Sequence, residues 1–456
     1  MAMECSIGIP AGCLLGPVVI QRSVLEWQSL PYGDGHDEIP AWAADQLAGV
    51  AKRSPLGGES GGRILTLGRK SLRAGQVVGI VAGEGCTLEI LPKIDFPAET
   101  DGAHKRGLIR ERLVHLLAVA LDIQIDGGAM TELGWQKDSL LEILIRLFST
   151  KLLDAVRQGV PRRYIDCEDD LRALRGRLDI GRQFTVLAVD PSKLACRYDE
   201  LSTDTALNQI MKAAVDRLGR LARTSDNQRR LSELAFGYAE VSSVPVSALR
   251  WQDVQLDRTN ARWKDLFALA KFILGDRFQT TSMGTQAGFS LLFEMNTLFE
   301  QYVGRMMRRA LVGSGLTVHL QGGRLFCLES VEDGRRLFQT KPDILIKDGG
   351  RVIQVIDTKW KRISPQIEDA KQGISQADVY QMMAYGQLYE CEALTLLYPH
   401  HGELLEVPGV TGTFAVPHSL QRLSAATIDI SRKTGIKDAL RQIAGHHGSE
   451  ALLAKI

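Results

Sequence analysis

No stretch of the 456-residue sequence is apolar for long enough to span a bilayer. The seven cysteines (5, 13, 86, 167, 196, 327 and 391) never form a C-x-x-C pair, which excludes a zinc knuckle and leaves no sign of a disulfide framework. A reducing, cytoplasmic setting suits such scattered thiols. The first twenty residues are apolar, but Pro10 and Pro17 interrupt them and the first positive charge is Arg22, a poor secretory signal. Excess charge is missing too. The formal net charge is +1, so no global basic field points to self-sufficient nucleic-acid binding, and Arg305, Arg308 and Arg309 remain a local cluster. Finally, the Gly/Ser-rich loop at 54–62, with GGESGGR at its heart, lacks the lysine and hydroxyl of a phosphate-binding loop, and no G-x-x-x-x-G-K-[ST] occurs elsewhere. The chain is not expected to bind a nucleotide. Any motor it works with must be another protein.

What is present falls into three regions. Residues 14–96 read as β-rich, with VVIQRSVLEW, GRILTLGRKSLRAG, VVGIVAG and CTLEILPKID separated by Gly, Pro and Asp, and predict a small barrel or curled sheet. From 104 to 278 the apolar spacing turns helical in LIRERLVHLLAVAL, SLLEILIRLFSTKLLDAVRQG, ALNQIMKAAVDRLGRLAR and RWKDLFALAKFIL. The charged segment 162–184 between them is extended in part. Its Arg162, Arg163, Arg172, Arg175 and Arg177 either meet phosphates or a partner, or form a solvated connector with internal ion pairs. The last region mixes both periods. A helical stripe over 288–311 (Leu292, Met295, Phe299, Val303, Met306) precedes a hairpin, a helix at 375–390 and a strand-like run from Ala393 to Tyr398. Further strand-like runs cover Leu404–Val407, Thr413–Val416 and Ala426–Ile430, and a helix closes near Ile436–Ala444. The pairs His400-His401 and His446-His447 have no carboxylate or cysteine at a zinc spacing and read as surface residues. The expected architecture is multidomain α+β: a β-rich domain (1–100), a helical linking domain (101–280) and a C-terminal α/β domain (281–456) with a mixed central sheet.

The hairpin organises the last region. In KPDILIKDGGRVIQVIDTKWK (341–361), two apolar runs flank Gly349-Gly350. Asp343 stands at the start of the first strand, and Asp357 and Lys359 at the end of the second, two apart and so on one strand face. A strict two-residue turn would pair Asp343 with Ile356 and separate the aspartates; a three-residue loop or a single bulge would set Asp343 opposite Asp357. The second register is the expected one. Two converging carboxylates suit Mg²⁺, and a lysine beside them can orient or deprotonate a water and stabilise charge on a phosphate. Taken alone, a D-x-K triplet is more often a solvated salt bridge. Glu300, beside the apolar stripe of its helix, could reach the same cluster. Gln381 and Tyr385 share a helix face, with Asp378 three residues earlier and a candidate Ser375/Asp378 capping box.

The order helix, acid-bearing hairpin, helix, strand resembles the PD-(D/E)xK nuclease fold. Pro342-Asp343, Asp357-Thr358-Lys359 and a Gln381-x-x-x-Tyr385 motif like that of the RecB-type branch carry the likeness. More closely, MNTLFEQYV, KPDILI, VIDTKWK and DVYQMMAYG resemble blocks of the McrC family, nuclease subunits of McrBC modification-dependent restriction systems. VVGIVAG, LEILPKI, LRALRGRL and DELSTDTALNQIMKAA are similar to others, so the resemblance runs from about residue 14 to about 430. It implies a Mg²⁺-dependent DNA endonuclease with one or two ions held by Asp343 and Asp357. Lys359 would position or activate the attacking water, Glu300 would add a metal contact, and Gln381 and Tyr385 would support the site or touch DNA. It also implies a partner, a McrB-like AAA+ GTPase hexamer whose GTP hydrolysis the chain stimulates. The β-rich N-terminal domain would be the motor-binding stalk, double-stranded modified DNA the substrate, and no membrane would be involved. Two alternatives remain: a stand-alone RecB-like repair or defence nuclease, and a non-catalytic adaptor of a AAA+ motor.

Overall fold

The computed structural model describes residues 20–58, 61–96, 102–123, 138–258, 260–275, 278–281, 288–364, 373–404 and 407–453. They divide into two compact units, Met1–Pro92 with Arg277–Phe293, and Lys93–Asp276 with Glu294–Ile456.

In the first unit, β1 (Ile20–Leu25) runs parallel to β6 (Cys86–Leu91), which is antiparallel to β5 (Val77–Gly83). Strands β11 (Gly288–Glu294) and β10 (Phe278–Thr281) extend this sheet in the order β1-β6-β5-β11-β10. A second sheet joins β2 (Ser29–Pro31), β4 (Ser71–Ala74) and β3 (Leu65–Leu67). Between them lies a helix the sequence reading did not anticipate, α1 (Ala41–Arg53). Its Ala43, Leu47, Val50 and Ala51 form one buried stripe, packed on β3, β5 and β6. The residues are small, so the period is easily lost among the flanking strands. The region is therefore two sheets and a helix rather than a strand-only barrel. Gly79, in β5, has φ +130°, and a Cβ there would stand 1.9 Å from the Leu291 carbonyl oxygen; only glycine lets β11 approach.

The helix expected over 288–311 is two elements. GFSLLFE is strand β11, and the helix begins only at Met295. The run Phe289–Phe293 is buried throughout, which fits a strand covered on both faces and masks the period. The expected boundary at 280/281 thus falls inside β10, which pairs antiparallel with β11.

In the second unit, helices α2 (Gly102–Ala120), α3 (Leu140–Arg157), α5 (Ala206–Gly219), α6 (Ser225–Gly237) and α7 (Lys264–Leu274) form a packed layer with α8 (Met295–Ala310). An exposed ribbon of β7 (Arg163–Leu171) and β9 (Leu194–Ser202), with the short β8 (Arg177–Leu178) and helix α4 (Ile180–Thr185), leaves this layer. Ion pairs lace it: Arg175 with Glu200 at 3.2 Å, Arg182 with Asp170 at 2.8 Å and Arg197 with Asp179 at 2.9 Å. For Arg175 the connector with internal ion pairs is what forms.

The second unit's main sheet has six strands in the order β12 (Thr317–Leu320), β15 (Ile344–Asp348), β16 (Arg351–Thr358), β17 (Ala393–Pro399), β19 (Arg422–Ile428) and β18 (Val410–Ala415). It is mixed: β16, β17 and β19 are parallel, and the outer pairings are antiparallel. Every residue of β17 is buried, as a central parallel strand requires. A separate hairpin, β13 (Phe326–Glu329) and β14 (Arg336–Gln339), lies in the connection between β12 and β15. Helix α9 (Gln376–Leu388) packs on β16 and β17, and α10 (Ile436–Leu453) on β19 and α8. Thr413–Val416 and Ala426–Ile430 caught only the later parts of β18 and β19; the Leu404–Val407 run includes residues 405–406, which lie outside the described residues. Among the described residues, no helix is long and apolar enough to cross a membrane.

Candidate active site

The turn between β15 and β16 is the tight one. Asp348 pairs with Arg351, and Gly349 and Gly350 have φ of +53° and +97°, as a primed two-residue turn demands. The ladder then slips. Lys347 pairs with Val352 but Ile346 with Gln354, so Ile353 is an extra residue, and Ile344 faces Ile356. One step further along that ladder sets Asp343 across from Asp357. The strict turn and the single bulge, weighed as alternatives from sequence, occur together, and the bulge decides the register.

Asp343 is fixed by its neighbour in the motif. Its Oδ2 accepts hydrogen bonds from the Thr358 backbone N–H at 2.7 Å and the Thr358 hydroxyl at 2.8 Å. Asp357 is 3% exposed. Lys359 Nζ stands 2.8 Å from its Oδ2, yet no donor is aligned on that buried oxygen; the contact is an ion pair by distance and not a directed hydrogen bond. The Lys359 backbone N–H donates to the Leu397 carbonyl at 2.9 Å, continuing the β16–β17 pairing. Its ammonium also donates to Gln381 Oε1 at 3.2 Å, and Gln381 Nε2 donates to the Tyr385 hydroxyl at 2.8 Å. The two α9 residues therefore reach the strand residues through one chain of hydrogen bonds. Asn296, in the first turn of α8, accepts from the Trp360 N–H at 3.3 Å, and the Trp360 and Phe299 rings stand 5.4 Å apart, tilted. These contacts tie the strand end to the helix.

Glu300 holds a rim position. Its Oε1 accepts from Gln321 Nε2 at 2.7 Å, while the Gln321 backbone N–H donates to the Asp343 carbonyl at 2.9 Å. Among the described residues no group of three or more His, Cys, Asp or Glu side chains is close enough to share an ion. In this arrangement the Glu300 charge bears on the Asp343 carboxyl.

The electrostatics follow from burial. Loss of water pushes the Asp343 carboxyl up to about 7, with the charges of Asp357 and Glu300 adding to it. Asp357 is raised by burial as well, against the pull of Lys359. Burial works to lower Lys359, but the negative charges of Asp357, Asp378 and Asp343 outweigh it and hold the ammonium above its usual range. Two buried carboxylates that resist ionisation, one with an unaligned oxygen, suit a small hard cation. Mg²⁺ takes one or two carboxylates and fills its other positions with water and phosphate oxygens. Asp343 and Asp357 fit that demand.

Sequence reasoning missed two contributors, Thr358 and Gln321, and gave a third, Asp378, no role. Thr358 is the middle residue of D-x-K, which strand alternation assigns to the other face. Gln321 lies in a loop with no pattern. Asp378 was noticed only as a helix-face neighbour; its spacing of three from Gln381 was the available signal. The surface reading of His400-His401 is corrected. His401 is 4% exposed, with Nε2 2.8 Å from the Ile363 carbonyl oxygen, and His400 Nδ1 lies 3.1 Å from the Thr427 hydroxyl. Ile363 meets His401 alone, while His400 is half-buried beside Thr427 of β19. The side chains of His446-His447 lie outside the described residues.

Residues 72–399 match the family described as McrBC 5-methylcytosine restriction system component. The chain belongs to the McrBC family. The matched span takes in every site residue named above, from Glu300 to Tyr385. The fold of this McrBC-family chain is shared with a chain of a refined half-complex from the tetradecameric assembly of Thermococcus gammatolerans McrB AAA+ hexamers with bound McrC, at 19% identity and a TM-score of 0.67, covering 94% of this chain and 100% of that one. A chain of the Thermococcus gammatolerans McrBC complex is also similar, at 22% identity and a TM-score of 0.49 over 64% of this chain and 88% of that one. No curated protein matches the sequence.

Proposed function

We propose that this chain is the McrC-type nuclease subunit of a McrBC restriction system, a cytoplasmic Mg²⁺-dependent DNA endonuclease of the PD-(D/E)xK class. It cuts double-stranded, modified DNA when assembled with a McrB-like AAA+ GTPase hexamer, whose GTP hydrolysis it stimulates. The observation that carries this reading is the bulged hairpin, which turns Asp343 toward Asp357 with Lys359 Nζ 2.8 Å from the second carboxylate. Family membership and the shared McrC fold support the partner. The β-rich N-terminal domain serves as the motor-binding stalk and the helical middle as the link to the nuclease domain.

Asp343 and Asp357 hold the ion. Bound Mg²⁺ supplies Lewis-acid stabilisation of the phosphate and acidifies the attacking water. Thr358 fixes the Asp343 carboxylate by two hydrogen bonds to one oxygen. Lys359 stays cationic beside Asp357, where it orients the water for in-line attack and offsets charge that grows on the phosphate oxygens. Gln381 and Tyr385 keep the lysine head group in place. A formal net charge of +1 leaves most DNA affinity to the assembled complex.

The test is cleavage of a methylcytosine-containing plasmid by the chain with its GTPase partner, GTP and Mg²⁺. Asp357→Ala and Lys359→Ala should each lower cutting by about a hundredfold or more while GTP hydrolysis stays stimulated. Variants that cut like the wild type would remove the nuclease assignment. Rapid cutting by the chain alone would favour the stand-alone alternative.

A further inference from the structure

Helix α9 opens with Ser375 capping Asp378, whose N–H donates to Ser375 Oγ at 3.2 Å. The cap fixes the Asp378 backbone in the first helical turn, and its carboxylate, with only 13% of the side chain exposed, reaches two lysines at once. Oδ2 lies 2.7 Å from Lys361 Nζ, and Oδ1 lies 3.5 Å from Lys359 Nζ. An ammonium has three hydrogens to give. The three acceptors around Lys359 Nζ are Asp357 Oδ2 at 2.8 Å, Gln381 Oε1 at 3.2 Å and Asp378 Oδ1 at 3.5 Å. Three polar neighbours thus surround the ammonium, of which Gln381 takes the aligned hydrogen bond, and a phosphate oxygen that nears Lys359 competes with all three. The longest is the weakest, and it is the one to Asp378. Opening it does not leave Asp378 bare, because Lys361 already neutralises the other oxygen. Lys361 is more open to solvent than either partner, with 36% of its side chain exposed, and its Nζ sits 5.7 Å over the Tyr398 ring.

We propose that Asp378 is a positioning residue of the nuclease site: it parks the Lys359 ammonium over Asp357 until a DNA phosphate displaces it. Lys361 is its counter-ion and keeps the Asp378 charge from repelling the DNA backbone. This rests on the nuclease reading above. The device splits two jobs between two residues. Asp378 governs where Lys359 stands when the phosphate arrives, which is felt in the chemical step. Lys361 governs whether a negative charge faces the incoming backbone, which is felt in binding.

The experiment is a double-mutant cycle on the assembled complex, cutting a methylcytosine-containing plasmid with GTP and Mg²⁺. DNA binding is read separately from the anisotropy of a labelled methylated duplex in Ca²⁺. Asp378→Asn should lower kcat by about tenfold with KM little changed, because a misplaced catalytic group costs rate. Asp378→Glu should recover part of that loss. Lys361→Met should raise KM and weaken duplex binding by about fivefold while kcat holds, because it uncovers a like charge. The double variant should regain wild-type binding, with its charge balanced again, yet keep the low kcat. A thermal melt that matches the wild type shows that each variant is folded. The inference is overturned if Asp378→Asn cuts at the wild-type rate, or if the double variant binds as poorly as Lys361→Met. Should Lys359→Ala itself cut normally, the nuclease reading fails rather than this addition to it.

Discussion

Replacing Asp343 by asparagine should make the metal-free protein more stable and catalytically silent. Burial, Asp357 and Glu300 raise the Asp343 carboxyl from 3.8 to about 7. A carboxyl raised on folding penalises the native state wherever the unfolded chain would ionise it. Below about pH 4 both states are protonated and there is no penalty. Between pH 4 and 7 the unfolded state releases its proton and the folded state does not, so native stability falls as pH rises. Above about pH 7 the penalty is complete. At about 1.4 kcal/mol per pH unit the ceiling is about 4 kcal/mol; because Asp343 and Asp357 titrate as a pair, about half of it, roughly 2 kcal/mol, goes with the removal of one charge. Asparagine keeps an amide oxygen that can still accept from Thr358, so the geometry survives. Urea titrations in EDTA at pH 5 and pH 8 would measure this, with Asp343→Asn gaining about 1 kcal/mol more over wild type at the higher pH. Saturating Mg²⁺ should then stabilise the wild type, by about 2.7 kcal/mol at a hundred times Kd, and the variant far less. A variant whose advantage over wild type does not grow between pH 5 and pH 8 would show that folding does not raise the Asp343 carboxyl.

Two further outcomes follow from contacts described above. Gly79→Ala would drive a Cβ to 1.9 Å from the Leu291 carbonyl oxygen at a backbone φ of +130°; it should cost about 3 kcal/mol, and a thermal melt matching the wild type would contradict the close approach. Tyr385→Phe removes the hydroxyl that accepts from Gln381 Nε2 at 2.8 Å, freeing an amide that steadies Lys359. Cleavage should drop by about threefold to tenfold with duplex binding unaltered, and an unchanged rate would place Tyr385 in the core alone.

The site was legible because its signals are local. The D-x-K spacing, the paired glycines and the Gln381/Tyr385 face each follow from one element's period. Bulge position was not legible, since Val352, Ile353, Val355 and Ile356 are interchangeable in a hydrophobic pattern and only three-dimensional packing chooses the extra residue. Helix α1 hid because alanines carry its buried stripe. The strand at 288–294 hid because burial on both faces erases alternation, and the helix that follows lent it a false period. Asp378 and Thr358 matter through partners on other elements, and a single element's pattern does not hold that information.

The return of β10 and β11 to the first sheet bears on how the chain can be dissected. The sheet that begins at Ile20 is finished only by residues near 290, so a break near residue 100 divides one structure between two fragments. The shorter fragment is left with the flank of β5 bare, and the longer one carries the β10–β11 pair with the β5-facing edge of its apolar strand open. Loss of motor binding or of cutting in such fragments would report a torn sheet rather than a missing docking surface. A shortened protein that keeps its integrity would have to take residues 277–293 along with the N-terminal ninety.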